Sequence, residues 1–220
     1  MRKLPERETE RLLRKYRIPC PRHVLARSED AAVRAAGGIG FPVVMKISSP
    51  DIIHKTEARC VIVSIRDPGA ARAAYRQIVK NARRYKPGAR ISGVSVYRMI
   101  PRGTREVIIG SRQDPQFGPV MMFGLGGILV EVLRDVSFRI VPLERRDARE
   151  MMREIRGFRV LEGMRGQGPV NFRALEDTLM KVSGMVWANT GKGRKIQELD
   201  INPLFVDEKG VWAADVRILV

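Results

Sequence analysis

The segment SSPDIIHKTEARC, residues 48–60, sets His54 beside Lys55 in a polar stretch between two apolar runs. A neutral imidazole nitrogen is a nucleophile and can take a phosphoryl group covalently. A neighbouring ammonium would favour the charged product. Plain hydrogen bonding is the other use of the same residue. His23, which follows PCPR and opens an apolar segment, reads as a packing or surface residue. With only two histidines in the chain, a multi-histidine metal site is excluded.

A second group of chemistry-bearing residues lies near the end of the chain. Strand side chains alternate between faces. In KIQELDIN, Glu198, Asp200 and Asn202 therefore share one face, and Leu199 and Ile201 take the other. In VWAADVRIL, alternation puts Trp212, Ala214, Val216 and Ile218 on an apolar face and Asp215 opposite with Arg217. Antiparallel pairing would bring Asp215 near Asn202 or Asp200. Such a set of oxygen donors suits Mg2+, which binds one or two carboxylates together with substrate phosphates. A solvent-facing edge pair with ordinary acids would carry the same pattern.

Lys46 ends the run PVVMK and offers a compact positive charge for a phosphate, or a strand-end amine for solvent. FGLGGILVE, with Gly126 and Gly127 at its centre, matches neither GxGxxG nor GxxxxGK[ST]. Its glycines would let backbone amides approach a phosphate, or simply make a tight turn. Arg139, shortly after, is a candidate phosphate fork. Cys60 follows Arg59, whose charge would lower the thiol pKa, but it also begins an apolar strand, which favours packing.

The elements that must position these residues alternate. PERETERLLRKY reads as a helix that PCP stops. Ser28 caps a second helix that Gly37-Gly38 ends. FPVVMKI and CVIVSI are strands, DPGAARAAYRQIVKNARRY is a helix opened by Pro68, and GVSVYRMI is again a strand. Beyond residue 100, REVIIGS, GPVMMF, ILVEVL and SFRIVPL are short strand candidates. ERRDAREMMREI and FRALEDTLMKVSGMVWAN are helices, and an antiparallel pair turns at DEKG. The reading is α+β: an N-terminal helical segment over 1–21, a smaller lobe over 22–98 and a larger lobe over 99–220.

The chain has 220 residues, carries 41 Lys plus Arg against 24 Asp plus Glu, and so holds +17. Such a surface attracts phosphate-rich or acidic partners. The basic residues are scattered, and no recognition helix or RNP-like aromatic pair stands out, so nucleic acid is not an expected partner. A basic nucleic-acid module without catalysis remains a competing reading. The N-terminus has no continuous apolar core and the longest charge-free stretch is short and glycine-rich. Neither a secretory signal nor a membrane span is expected. Two cysteines without a CxxC fit a reducing cytoplasm.

The order of these features resembles the ATP-grasp, or beta, subunit of ADP-forming acetate–CoA ligase. The likeness runs from GIGFPVVMKISSPDIIHKTEA through DPQFGPVMMFGLGGILVEVLRDVSFRIVPL to LDINPL and AADVRI. It implies an ATP-grasp fold of two α+β lobes with a nucleotide between them, ADP or ATP as substrate, and Mg2+. It also implies a CoA-binding alpha subunit, in a heterotetramer, that carries a phosphorylatable histidine. His54 resembles a second, relaying histidine, with Lys55 neutralising charge, and Lys46 resembles the phosphate-contacting lysine. Arg98, Met99 and Ile100 resemble the interlobe hinge whose backbone reads adenine. Glu106 resembles the nucleotide-side acid, Asn202 and Asp215 the Mg2+ ligands, with Asp200 in support, and Glu131 and Arg139 cleft residues. A succinate–CoA-ligase-like or other ATP-grasp ligase subunit is the neighbouring alternative. One departure stands out: where the family has two glycines before the strand, this chain reads HKTEARCV, with Arg59 and Cys60 in their place.

Overall fold

The structure is a computed structural model and describes residues 1–21, 23–100, 104–127, 134–164, 166–191 and 195–220. The chain divides into two compact units, Pro21–Ile100 on the one hand and Met1–Cys20 with Pro101–Val220 on the other.

In the unit Pro21–Ile100, four strands form an antiparallel sheet in the order β1-β4-β2-β3. They are β1 (His23–Ala26), β2 (Val43–Ser48), β3 (Val61–Ile65) and β4 (Gly93–Arg98). Two helices pack on one face, α2 (Glu29–Ile39) and α3 (Pro68–Tyr85). Ser28 and Asp67 cap them, accepting from the N–H groups of Ala31 (3.2 Å) and Ala70 (2.7 Å). Val43, Met45, Ile47, Val94 and Val96 meet Ala32, Ala36, Ala71, Ala74 and Ile78 in the core. Helix α2 continues through Gly37-Gly38, where a stop was expected, and ends at Gly40, whose φ of +90° takes the chain out of the helix. Strand β1 escaped the sequence reading because four residues hold too little periodicity; its pairing with β4 along its whole length makes it a strand.

The other unit is built on a six-stranded antiparallel sheet, β10-β8-β5-β6-β7, with β9 also on β8. The strands are β5 (Arg105–Asp114), β6 (Gly118–Leu125), β7 (Val136–Ile140), β8 (Glu198–Val206), β9 (Val211–Ala213) and β10 (Val216–Leu219). Helices α4 (Arg145–Glu154), α5 (Phe158–Glu162) and α6 (Phe172–Ala188) bury Met151, Leu161, Leu175, Leu179 and Val182 against Val107, Ile109, Met121 and Phe123. The N-terminal segment belongs to this unit: Arg2 and Leu4 donate to the carbonyls of Val220 and Ile218 at 2.7 and 2.9 Å. Helix α1 (Glu6–Lys15) then sends Leu13 into the same core.

The expected strand over 211–219 is broken at Ala214-Asp215 into β9 and β10. The break shifts the alternation, so Val211 and Ala213, not Trp212 and Ala214, are buried, while Ile218 stays inside. The strand candidate ILVEVL lies outside the described residues. Among the described residues no helix is long and apolar enough to cross a membrane.

Candidate functional site

His54 sits on the connection from β2 to β3, and that connection is fastened at both ends. At its start, the Asp51 carboxylate accepts from the backbone N–H of Arg90 at 2.8 Å and from its guanidinium at 2.8 and 3.0 Å. The Lys86 ammonium reaches the Asp51 carbonyl at 3.3 Å. These cations hold the Asp51 carboxyl far below the usual carboxylate range. Ile52 is a fully buried plug, and the chain then turns outward so that Ile53 and His54 are exposed.

A single tight turn follows. The His54 carbonyl accepts from Ala58 at 3.0 Å and the Lys55 carbonyl from Cys60 at 2.8 Å. Arg59 ends the turn at φ +52°, and its carbonyl accepts from the buried Asn81 amide of α3 at 2.6 Å. The His54 imidazole lies 3.6 Å from the Glu57 carboxylate, both side chains being well exposed. A histidine kept for packing would not be held out in this way. Cys60 has the opposite fate: it is fully buried, its thiol donates to the Ala58 carbonyl at 3.3 Å, and burial raises its pKa. The packing reading of Cys60 therefore holds, and Arg59 does not activate it.

Lys46 lies on β2 opposite Ser95 of β4 and Val61 of β3, on the sheet face away from Met45, Ile47 and the helices. Its ammonium stands 5.2 Å from the centre of the Tyr97 ring, and the His23 ring stacks on the same tyrosine at 4.7 Å. Arg98 is the last residue of β4 and is exposed; Met99 donates its N–H to the Pro42 carbonyl at 3.2 Å, and Ile100 ends the unit.

In the second unit, Glu106 and the glycines come together. The Gly126 N–H donates to the Glu106 carbonyl at 2.7 Å. A side chain at Gly126 would stand 3.1 Å from the Glu106 backbone. Gly127 has φ +66°, and a Cβ there would lie 3.3 Å from the Glu106 carboxylate. Glycine is needed at both positions, at one for close approach and at the other for backbone conformation. The remainder of the glycine-rich segment, Glu131 included, lies outside the described residues. The chain re-emerges at Arg134 and Asp135. The Asp135 carboxylate accepts from the N–H groups of Arg156 and Gly157, each at 2.7 Å.

The acidic set lies on the exposed side of the same sheet. Asn202 donates its N–H to the Asp215 carbonyl at 3.1 Å, directly across from β8 to the residue preceding β10. Both side chains are exposed. Asp200, two residues along β8, faces the same way and pairs with Arg217. The Arg217 guanidinium is bonded to Glu198 and lies 3.8 Å from the Asp200 carboxylate. Burial raises the Asp200 pKa; Arg217 opposes this, while Glu198 and Asp215 add to it. A divalent cation would relieve that repulsion, and two carboxylates with an amide oxygen are hard donors of the type Mg2+ takes. The donor set therefore fits such an ion. Among the described residues no group of three or more His, Cys, Asp or Glu side chains is arranged to hold a metal ion.

Arg139 stands apart and corrects the sequence expectation. It pairs with Met121 on the face covered by helices, one register position away from the row through Met122, Gly110 and Asp200. Its guanidinium is engaged by Glu154 and Glu150 of α4. The fork grips carboxylates and holds a strand to a helix; it is not open to a phosphate.

Sequence reasoning also missed Asp51, Asn81 and Asp135. Asn81 had a readable signal: it interrupts the buried stripe Ala71, Ala74, Ile78, Ala82 of α3. Asp51 and Asp135 had none, since their partners lie 39 and 21 or more residues away.

Comparison with known proteins follows the same lines. The family model described as an ATP-grasp domain matches residues 1–220. The beta subunit of ADP-forming acetate–CoA ligase I from Pyrococcus furiosus is 49% identical over 219 residues, covering 100% of this chain and 92% of that protein. The chain belongs to the ATP-grasp family of ADP-forming acetate–CoA ligase beta subunits. The fold agrees. The acetyl-coenzyme A synthetase 1 of Candidatus Korarchaeum cryptofilum, solved with coenzyme A, Ca-AMPCP and HgCl+, superposes with a TM-score of 0.94 at 41% identity. That match covers 100% of this chain and 93% of the other. A second structure of the same enzyme, with coenzyme A and Mg-AMPPCP, has its phosphohistidine segment pointing towards the nucleotide binding site. It matches with a TM-score of 0.84 at 37% identity over 100% of this chain and 93% of that one. The family membership and the α+β ATP-grasp fold expected from the sequence are thus established.

Proposed function

We propose that this chain is the nucleotide-binding subunit of an ADP-forming acyl-CoA ligase. In that role it moves a phosphoryl group from phosphohistidine to ADP, so that acyl-CoA, ADP and phosphate give the acid, ATP and CoA. The observation that carries the reading is the presentation of His54. It stands exposed beside Lys55 on a turn fastened at Asp51 and at Arg59. Related structures contain a phosphohistidine segment and a divalent cation with a nucleotide analogue, which supports the same chemistry here.

His54 takes the phosphoryl group from a phosphorylated histidine of a partner and passes it on. In the second transfer the P–N bond to His54 breaks as a β-phosphate oxygen of ADP forms the new P–O bond. The imidazole nitrogen leaves with the electron pair and takes a proton from solvent. Lys55 and Lys46 supply positive charge to the transferred and terminal phosphates, which is the main catalytic lever in such a loose transfer. The Gly127 amide adds a donor, the Gly126 amide being held by the Glu106 carbonyl, and the backbone of Arg98, Met99 and Ile100 takes the adenine. Asn202 and Asp215, with Asp200 behind them, would hold Mg2+, which supplies charge neutralisation on the phosphates when bound. Arg139 has no part in this assignment.

The partner is a CoA-binding alpha subunit with its own phosphorylatable histidine, assembled with this chain as a heterotetramer in the cytoplasm. The test is isotope transfer with that subunit present. Wild-type chain incubated with γ-labelled ATP should acquire acid-labile phosphate, and His54→Ala should acquire none while binding ADP within about twofold of wild type. Full turnover by His54→Ala would remove the relay.

A further inference from the structure

The turn carrying His54 ends on Arg59, a residue with a side chain in the left-handed region of backbone space. That conformation costs an L-residue free energy and persists only where its surroundings impose it. The turn's own backbone bonds contribute, the Arg59 N–H donating to the Thr56 carbonyl at 2.9 Å, and one side chain from outside the turn joins them. Asn81 of α3, 6% exposed, donates its amide N–H to the Arg59 carbonyl at 2.6 Å. The Arg59 carbonyl can only accept, so the Asn81 nitrogen faces the turn, and its oxygen accepts from the Gln77 amide at 2.7 Å. One residue on, Cys60 returns its N–H to the Lys55 carbonyl and gives its carbonyl to Ile47 of β2.

We infer that Asn81 is the positioning residue for His54. It locks the Arg59 carbonyl, thereby the left-handed turn, and thereby the direction in which the imidazole is presented. Asn81 does not touch the reacting atoms; it acts through the backbone of residues 54–60. The inference explains how a chain with arginine at a position of positive φ keeps the turn that glycine adopts freely. The catalytic part of this inference rests on the relay reading of His54; the structural part does not.

The chain holds two histidines, so imidazole NMR of histidine-labelled protein reads His54 directly, with His23, stacked on Tyr97, as the internal reference. Asn81→Ala should shift or broaden the His54 signals and leave those of His23 in place. Adding Arg59→Gly should return the His54 signals, because glycine takes the left-handed conformation without help. In the assembled enzyme, Asn81→Ala should lower kcat for ATP formation about ten- to a hundredfold with KM for ADP unchanged, and Arg59→Gly should restore most of it. A role confined to packing of α3 would not respond to a change at residue 59.

Unchanged His54 signals in Asn81→Ala, or failure of Arg59→Gly to restore them, would overturn the inference. Should the alanine variant not fold, Asn81→Ser carries the same pair of measurements. If His54→Ala turns over fully, the relay reading falls, and the NMR response alone decides whether Asn81 sets the turn.

Discussion

Asn202 and Asp215 face each other across β8 and the start of β10, joined by the hydrogen bond from the Asn202 N–H to the Asp215 carbonyl at 3.1 Å. The break at Ala214-Asp215 that spoils a continuous strand is also what leaves the Asp215 side chain exposed beside Asn202. Asp215→Asn keeps the shape and removes one charge. A charge-assisted contact is worth roughly 1.5–3 kcal/mol, and each 1.4 kcal/mol is tenfold. Titration calorimetry should therefore show affinity for Mg-ADP reduced by about ten- to a hundredfold, with affinity for metal-free ADP hardly altered. Equal loss in both titrations would place Asp215 on the nucleotide and not on the cation.

Gly127 pairs a positive φ with a carboxylate in the way of any Cβ. Gly127→Ala should cost about 1 kcal/mol or more in thermal unfolding. It should also push the Glu106 carboxylate aside and weaken ADP binding. Gly69→Ala serves as a control, for its Cβ would meet only the tip of the Asp67 side chain at 3.2 Å and no positive φ is involved. A Gly127→Ala variant that binds ADP as wild type would remove the glycine pair from the nucleotide site.

The face between α4 and α6 holds a buried carboxylate. Glu176 accepts from Arg145 at 2.6 Å and from Arg149 at 2.7 Å, and these hydrogen bonds hold its pKa below the ordinary value. A depressed carboxyl contributes stability that is complete above its unfolded pKa and is lost as pH falls through the folded one. Thermal unfolding followed downward from neutral pH should lose stability below the ordinary glutamate range, and Glu176→Gln should flatten that loss. At neutral pH the variant should be less stable by about 1–2 kcal/mol, a figure kept low because both arginines are more than half exposed. An unaltered acid profile in Glu176→Gln would refute the linkage.

What could be read beforehand follows from how local each signal is. The alternation in ELDIN put Asp200 and Asn202 on one face correctly, because β8 is regular over that stretch. The same rule failed at Trp212 and Ala214, because a break two residues later shifts every side chain before it to the other face. The cap at Ser28 is local and was legible, as was the opening of α3 at Pro68; the clamp of Asp51 on Arg90 is not, because no spacing rule links residues 39 apart. Arg139 was misjudged for a related reason. Its type and its closeness to the glycine segment suggested phosphate, while the face of β7 on which it stands was decided by pairing with β6.

Arg59 offers the sharpest test of how far a local exception reaches. Its φ of +52° lies where glycine sits comfortably and a side chain does not. The left-handed conformation costs roughly 1–2 kcal/mol for a residue with a Cβ. Glycine would avoid that cost but lose about 0.5–1 kcal/mol through the greater freedom of the unfolded chain. Arg59→Gly should then be more stable by about 0.5–1 kcal/mol, seen as a higher midpoint in thermal unfolding. The arginine side chain is exposed, so little packing is forfeited. The buried Cys60 beside it should behave otherwise: Cys60→Gly removes a fully buried side chain and should destabilise the chain. If both substitutions destabilise, the left-handed turn is held by more than the backbone geometry described above. If Arg59→Gly alone raises the midpoint, residues 59 and 60 differ as their backbone and burial say they must.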